Sequence, residues 1–309
     1  MIQGAGQYTT SFFAPASSAD IYVFEVATIP SNTQTNVYSQ VYGVIFKDFE
    51  IRDRASSDTL KLQTSGRSED HHGILIHDSD WSIMQNLNFR DLQGCAINFS
   101  NVAREWYVEN VYVQNCGDAA ETIPAVDIGS TSGDATNTIY FLGLRIAFPT
   151  YIGLRINGGQ DGIRLINFIS CQVEGGGNGS AGAFGTPHDY DLIYLGLVVD
   201  VAFNNCNFSN PGPGEFCIDV DGSATSRINR VDISNCKFNG NGLGGAIRAN
   251  RVDEIVIQQV LFEGSTASEA DFYVETTAGI IQVSLDTTYS TNPTAGSPTG
   301  HANGASAFA

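Results

Sequence analysis

The segment Cys217-Ile218-Asp219-Val220-Asp221-Gly222 carries two carboxylates two residues apart. In a strand both project from one face, roughly 7 Å apart by strand rise. Glycoside hydrolysis uses two carboxyl groups about 5 to 9.5 Å apart, one as acid and the other as nucleophile or base. Asp219 and Asp221 are therefore the candidate catalytic pair. A nearby Arg would keep one carboxylate ionised, while the like charge would raise the pKa of the other. The plain alternative is an exposed Asp pair stabilised by Arg, with no catalysis.

Those carboxylates need an element to hold them, and internal repeats supply it. Segments comparable to Gly73-Ile74-Leu75-Ile76 begin at Ala96, Ala125, Gly153, Leu192, Cys217, Ala246 and Tyr273, at spacings of 23 to 39 residues. One inward column reads Ile74, Ile97, Val126, Leu154, Ile193, Ile218, Ile247, Val274. Each repeat has a second half, with columns such as Phe46, Met84, Val108, Phe141, Phe168, Phe203, Ile233, Ile257 and Phe49, Leu87, Val111, Leu144, Cys171, Cys206, Cys236, Val260. A strand alternates with period two, but between these two columns the apolar step is three, which implies a bend. The residue at the bend is Asp48, Asn86, Asn110, Gly143, Ser170, Asn205, Asn235 or Gln259. Asn and Gly tolerate the left-handed backbone that such a bend requires. Three short strands per repeat, stacked in register, predict an all-β parallel β-helix of about nine coils. A β-propeller would need four antiparallel strands per blade and regular hairpin turns. The predicted organisation is one β-helix over 1–287 and an irregular Ser/Thr/Gly/Ala-rich tail over 288–309.

The residue between two inward columns faces out. That ladder reads Leu75, Asn98, Asp127, Arg155, Tyr194, Asp219, Arg248, Glu275, with neighbouring coils about 4.8 Å apart. Long polymers suit such a linear surface. Asp127, Arg155, Tyr194, Arg248 and Glu275 are expected to bind substrate beside the carboxylate pair. The same set permits a lyase or epimerase, in which Arg neutralises a sugar carboxylate and Asp127, Asp219 and Asp221 hold Ca²⁺. The long loop from Glu174 to Asp191 enters the strand carrying Tyr194, so His188 and Tyr190 are candidate sugar contacts, with Asp189 and Asp191 beside them. Its glycine-rich stretch lacks the terminal Lys-Ser/Thr of a phosphate loop.

The layout resembles the right-handed pectate-lyase-like β-helix superfamily. Gly4-Ala5-Gly6-Gln7-Tyr8-Thr9-Thr10 is similar to a "G-x-G-x-x-T-T" entry strand found in phage tailspikes and polysaccharide depolymerases. The resemblance implies a carbohydrate-active β-helix, extracellular or on a virion, that binds and cleaves a surface polysaccharide without a cofactor. It leaves open a non-catalytic adhesin or structural β-helix, and a homotrimer as the assembly. The chain departs from the better-known relatives: it has no Gly-His-Gly, no Asn-Thr-Asp and no Arg-x-Pro-x-x-Arg, which argues against a pectin substrate. The resemblance also implies a capping helix ahead of the first coil. None precedes Met1, so the expectation is a fragment or an end covered by another subunit.

Six cysteines in 309 residues are not a disulfide scaffold. Cys171, Cys206 and Cys236 share one inward column and should be buried free thiols. His71-His72 and His77-Asp78-Ser79-Asp80 form the densest set of metal-ligand types, read as a polar loop edge with a cation site as the alternative. Composition bounds the rest. Asp plus Glu number 33 against 15 Lys plus Arg, a net charge of −18. Phosphate contacts need Lys and Arg, so nucleic acid is an unsuitable partner. Apolar content of 42% supports a packed core. No apolar run reaches membrane-spanning length, and Met1–Gly6 has neither the basic nor the apolar part of a signal peptide.

Overall fold

The computed structural model describes residues 1–6, 10–13, 21–26, 41–52, 71–130, 136–158, 163–175, 190–212, 215–222, 228–239, 245–263, 272–274, 282–286, 289–290 and 300–302. Among these, the chain is all-β, and every pairing between strands is parallel; one isolated antiparallel bridge joins Asp118 and Ile123. From Val126 onward each strand pairs with the third strand after it, which makes a solenoid with three faces. The first face includes Val126–Ser130, Leu154–Gly158, Ile193–Leu195, Ile218–Asp221 and Ile247–Asn250. The second includes Asn137–Leu142, Arg164–Ile169, Asp200–Asn204, Ile228–Ser234 and Val252–Gln258. The third includes Arg145–Ala147, Gln172–Glu174, Asn207–Ser209, Lys237–Asn239 and Leu261–Glu263. In earlier coils the strands run into one another, as in His71–Arg90 and Ile97–Gln114.

The predicted bends occupy the corner between the second and third faces. Asp48, Asn86, Asn110, Gly143, Ser170, Asn205, Asn235 and Gln259 all have φ between 50° and 69°. Their side chains link neighbouring coils. Asn86 Nδ2 donates to Asp48 Oδ1 and Asn110 Nδ2 to Asn86 Oδ1, each at 2.8 Å, and Asn205 Nδ2 donates to Ser170 Oγ at 3.0 Å. Two more left-handed positions recur that the sequence pattern does not mark: Asp91, Asn115, Phe148 and Asn210 after the third strand, and Trp81, Glu105, Thr138 and Leu165 where the second begins. Trp, Glu, Thr, Leu and Phe give no compositional sign of such a conformation.

Inward residues of the three faces build one continuous core. Phenylalanines stack from coil to coil: Phe141 on Phe168 at 4.7 Å, Phe168 on Phe203 at 4.9 Å, Phe238 on Phe262 at 5.2 Å. Cys171, Cys206 and Cys236 are buried and free, as expected, and so are Cys95, Cys116 and Cys217. The hydrogen-bonding Cys206 sulfur first, and burial next, push the Cys171 and Cys236 thiols up, so both behave as small apolar groups.

Three expectations need correction. The last register is displaced by two residues: Phe272 pairs with Ile247 and Tyr273 with Arg248, so the ladder place assigned to Glu275 belongs to Tyr273. A shift of two keeps the alternation, so the pattern alone did not resolve it. Residues 288–309 are not wholly irregular. Tyr289–Ser290 pairs with Leu261–Phe262, and Gly300–Ala302 pairs with Phe272–Val274. His71 and His72 are no loop edge: they are buried in a strand, where His72 stacks on Tyr22 at 4.4 Å and accepts the Cys95 N–H at Nδ1.

Candidate active site

The outward ladder of the first face has the predicted order from Asn98 through Asp127, Arg155, Tyr194 and Asp219 to Arg248. Two Arg–Asp forks flank Tyr194. Arg155 donates through Nε and Nη2 to the two oxygens of Asp127 at 2.9 and 2.7 Å, and through Nη1 to the Thr122 carbonyl. Arg248 donates through Nε to Asp219 Oδ1 at 2.7 Å and through Nη2 to Asp219 Oδ2, with its guanidinium 5.1 Å from the Phe216 ring centre. In-register parallel strands put the two partners of each fork one coil apart, within reach of bidentate pairing.

Burial is where Asp219 departs from expectation. Strand alternation turns it outward, yet it is only 2% exposed. Arg248 and Tyr194 occupy the ladder places on either side of it, and Arg248 engages both of its oxygens. The Asp219 carboxylate is thus closed off from solvent. Asp221, one step along the same strand, is partly exposed and accepts from Asn250 Nδ2 at 2.9 Å.

The corner before this face supplies the residue whose role went unrecognised. Leu192 N–H donates to the Phe216 carbonyl, and Phe216 N–H donates to Asp191 Oδ1 at 2.7 Å. This pair fixes Asp191 beside the second fork. Burial first, and the charge of Asp219 next, push the Asp191 carboxyl up to about 7, against the opposing pull of the Phe216 amide and Arg248. Asp191 was read only as a residue of the sugar-contacting loop. Its signal, a lone Asp before Leu192-Ile193, has no linear motif. Burial, with Asp221 and Asp219 nearby, also raises the Tyr194 phenol, whose hydroxyl has no hydrogen-bond partner among the described residues. Tyr190 packs edge-on against Tyr151, ring centres 4.6 Å apart. With Tyr194 and Phe216 they give the ladder an aromatic border.

The structure thus gathers Asp127, Arg155, Tyr194, Asp219, Asp221 and Arg248 on one face, with Tyr190 and Asp191 at its edge. His188 and Glu275 lie outside the described residues. The proposed Ca²⁺ set is not brought together. Asp127 and Asp219 stand three coils apart and each is held by an Arg. Among the described residues no group of three or more His, Cys, Asp or Glu is arranged to hold a metal. His77 instead pairs with Asp78 at 3.2 Å and with Ser100 Oγ at 3.1 Å.

No known protein family matches the sequence, and no curated protein does. The chain is similar in structure to ORF18 of Geobacillus virus E2, with TM-score 0.69 and 17% identity over 94% of this chain and 49% of that one. It is also similar to the Streptococcus pneumoniae surface protein and adhesin PfbA, with TM-score 0.55 and 11% identity over 92% of this chain and 83% of that one. The catalytic unit of a thermostable GH87 alpha-1,3-glucanase from Streptomyces thermodiastaticus matches at TM-score 0.46, 12% identity, 93% of this chain and 58% of that one. The chain spans about half the length of the viral protein. At these identities the likeness is one of fold, a parallel β-solenoid.

Proposed function

We propose that this chain is a right-handed parallel β-helix of about nine coils that binds a cell-surface or extracellular polysaccharide along its first face and hydrolyses it. The observation that carries this reading is Asp191, a carboxyl that keeps its proton to near neutral pH, fixed beside the Arg248–Asp219 fork on a ladder that also carries the partly exposed Asp221. An acid with a pKa near the working pH is what protonation of a glycosidic oxygen requires. In this scheme Asp191 donates its proton to the leaving oxygen, and Asp221, further along the ladder and oriented by Asn250, acts as base on a water. Asp219 is a positioning residue: burial and, second to it, the charge of Asp219 keep Asp191 protonated, and the Asp219 oxygens hold Arg248. Tyr194 offers a hydroxyl to the sugar.

A non-catalytic glycan-binding adhesin is the second reading, favoured by the likeness to a surface adhesin and by the locking of Asp219 into a fork. The similarity to a viral protein and to an adhesin supports an extracellular or virion location. A panel of surface polysaccharides, assayed for binding and for new reducing ends, separates the two. Hydrolysis predicts products with the native chain and none with Asp191→Asn or Asp221→Asn, while both variants still bind. Binding with no product from the native chain would establish the adhesin.

A further inference from the structure

We infer that the first-face ladder takes an uncharged glycan, because each of its arginines is already neutralised in place by its own aspartate. The inference rests on the glycan-groove reading above and names its substrate class. Uronic-acid and sulfated polymers need a cation whose charge is not already paired with a carboxylate. Arg155 commits Nε and Nη2 to Asp127 and Nη1 to the Thr122 carbonyl. Arg248 commits Nε and Nη2 to Asp219 and lies over Phe216. An anionic sugar would have to displace a carboxylate from a fork, and Asp219, at 2% exposure, would then be left buried without its counter-ion.

The local charge points the same way. Two guanidinium groups share the face with the three carboxylates of Asp127, Asp219 and Asp221, so the face offers no excess of positive charge. The chain as a whole carries −18, and its field opposes the approach of a polyanion. Between the two forks the ladder presents a neutral group, the half-buried Tyr194 phenol, suited to uncharged sugars. Discrimination against anionic glycans is therefore built into the forks.

The test is equilibrium binding of the intact chain to two polymer sets at low and high sodium chloride. One set is neutral (glucans, mannan, galactan) and the other anionic (polygalacturonate, alginate, hyaluronate). The expected result is binding within the neutral set, with affinity changing by less than about twofold across the salt range, since no charge pairing contributes. Anionic polymers should bind at least about tenfold more weakly. Asp127→Asn frees Arg155, so it should raise anionic affinity several-fold at low salt and lose that gain at high salt. An anionic polymer that binds the native chain more tightly than any neutral one, with affinity falling as salt rises, would overturn the inference and leave the groove standing. No binding in either set would remove the groove reading and this inference with it.

Discussion

Replacing Arg248 with Met isolates the second fork. Asp219 would lose both of its side-chain donors while staying buried at 2% exposure, and the Phe216 contact would lose its cation. Removing one partner of a buried pair costs about 3 to 5 kcal/mol. Because the Arg248 side chain is 32% exposed, water offsets part of this, and the lower end, about 3 kcal/mol, is expected. The first fork is the internal control. Asp127 is 16% exposed, so Arg155→Met should cost nearer 1 kcal/mol. At roughly 2 °C per kcal/mol for a chain of this size, the melting temperature should fall about 6 °C for Arg248→Met and about 2 °C for Arg155→Met. Asp219→Asn added to Arg248→Met should restore at least about 2 kcal/mol, since it removes the uncompensated charge. Calorimetry gives the melting temperatures. Hydrogen exchange at residues 192–195, 217–221 and 247–250 reports whether the loss is confined to the coils that touch the fork, as neighbour-only contacts in a solenoid require. Equal, small shifts for the two Arg variants, with additive double-variant energies, would refute the assignment of Asp219 as a buried, charge-paired positioning residue.

Four further outcomes follow from the same structure. Cleavage should decline as pH rises through about 7, where Asp191 loses its proton. The folded carboxyl titrates near 7 and the unfolded one near about 4, so its contribution to stability is complete below the lower value and lost as pH rises through the upper; Asp191→Asn should flatten that part of a melting-temperature profile. Asn86→Ala, at φ 54° and within the Asp48–Asn86–Asn110 ladder, should cost about 2 kcal/mol in chemical denaturation, and Asn86→Gly clearly less. A thiol reagent should label none of the six cysteines in the native chain and all six after denaturation, with no change on adding a reductant.

The sequence made the scaffold readable where one physical need recurs every coil. The bend demands a left-handed backbone, and Asn, Gly, Asp, Ser and one Gln gather there, so eight positions line up in sequence and in space. The Cys171–Cys206–Cys236 column is visible for the same reason, because a stacked core repeats its side-chain size. Register failed at Glu275, where a slip of two leaves the inward pattern intact and only the fit of Phe272 against Ile247 decides. The site was readable as a ladder and not as a working arrangement. Alternation assigns Asp219 to the outward side, but its burial depends on Arg248 from the next coil and on the corner that carries Phe216, neither of which alternation encodes. Asp191 gains its chemistry from burial near Asp219, a contact across coils that no local spacing reveals.

Product analysis in heavy-oxygen water tests the central claim most directly. The native chain is incubated with a neutral polysaccharide that it binds, and the fragments are weighed by mass spectrometry. Hydrolysis with Asp191 as the acid predicts one heavy oxygen at each new reducing end, no unsaturated sugar, and no fragments from Asp191→Asn. Unsaturated fragments without the label, or labelled fragments released undiminished by Asp191→Asn, would contradict it.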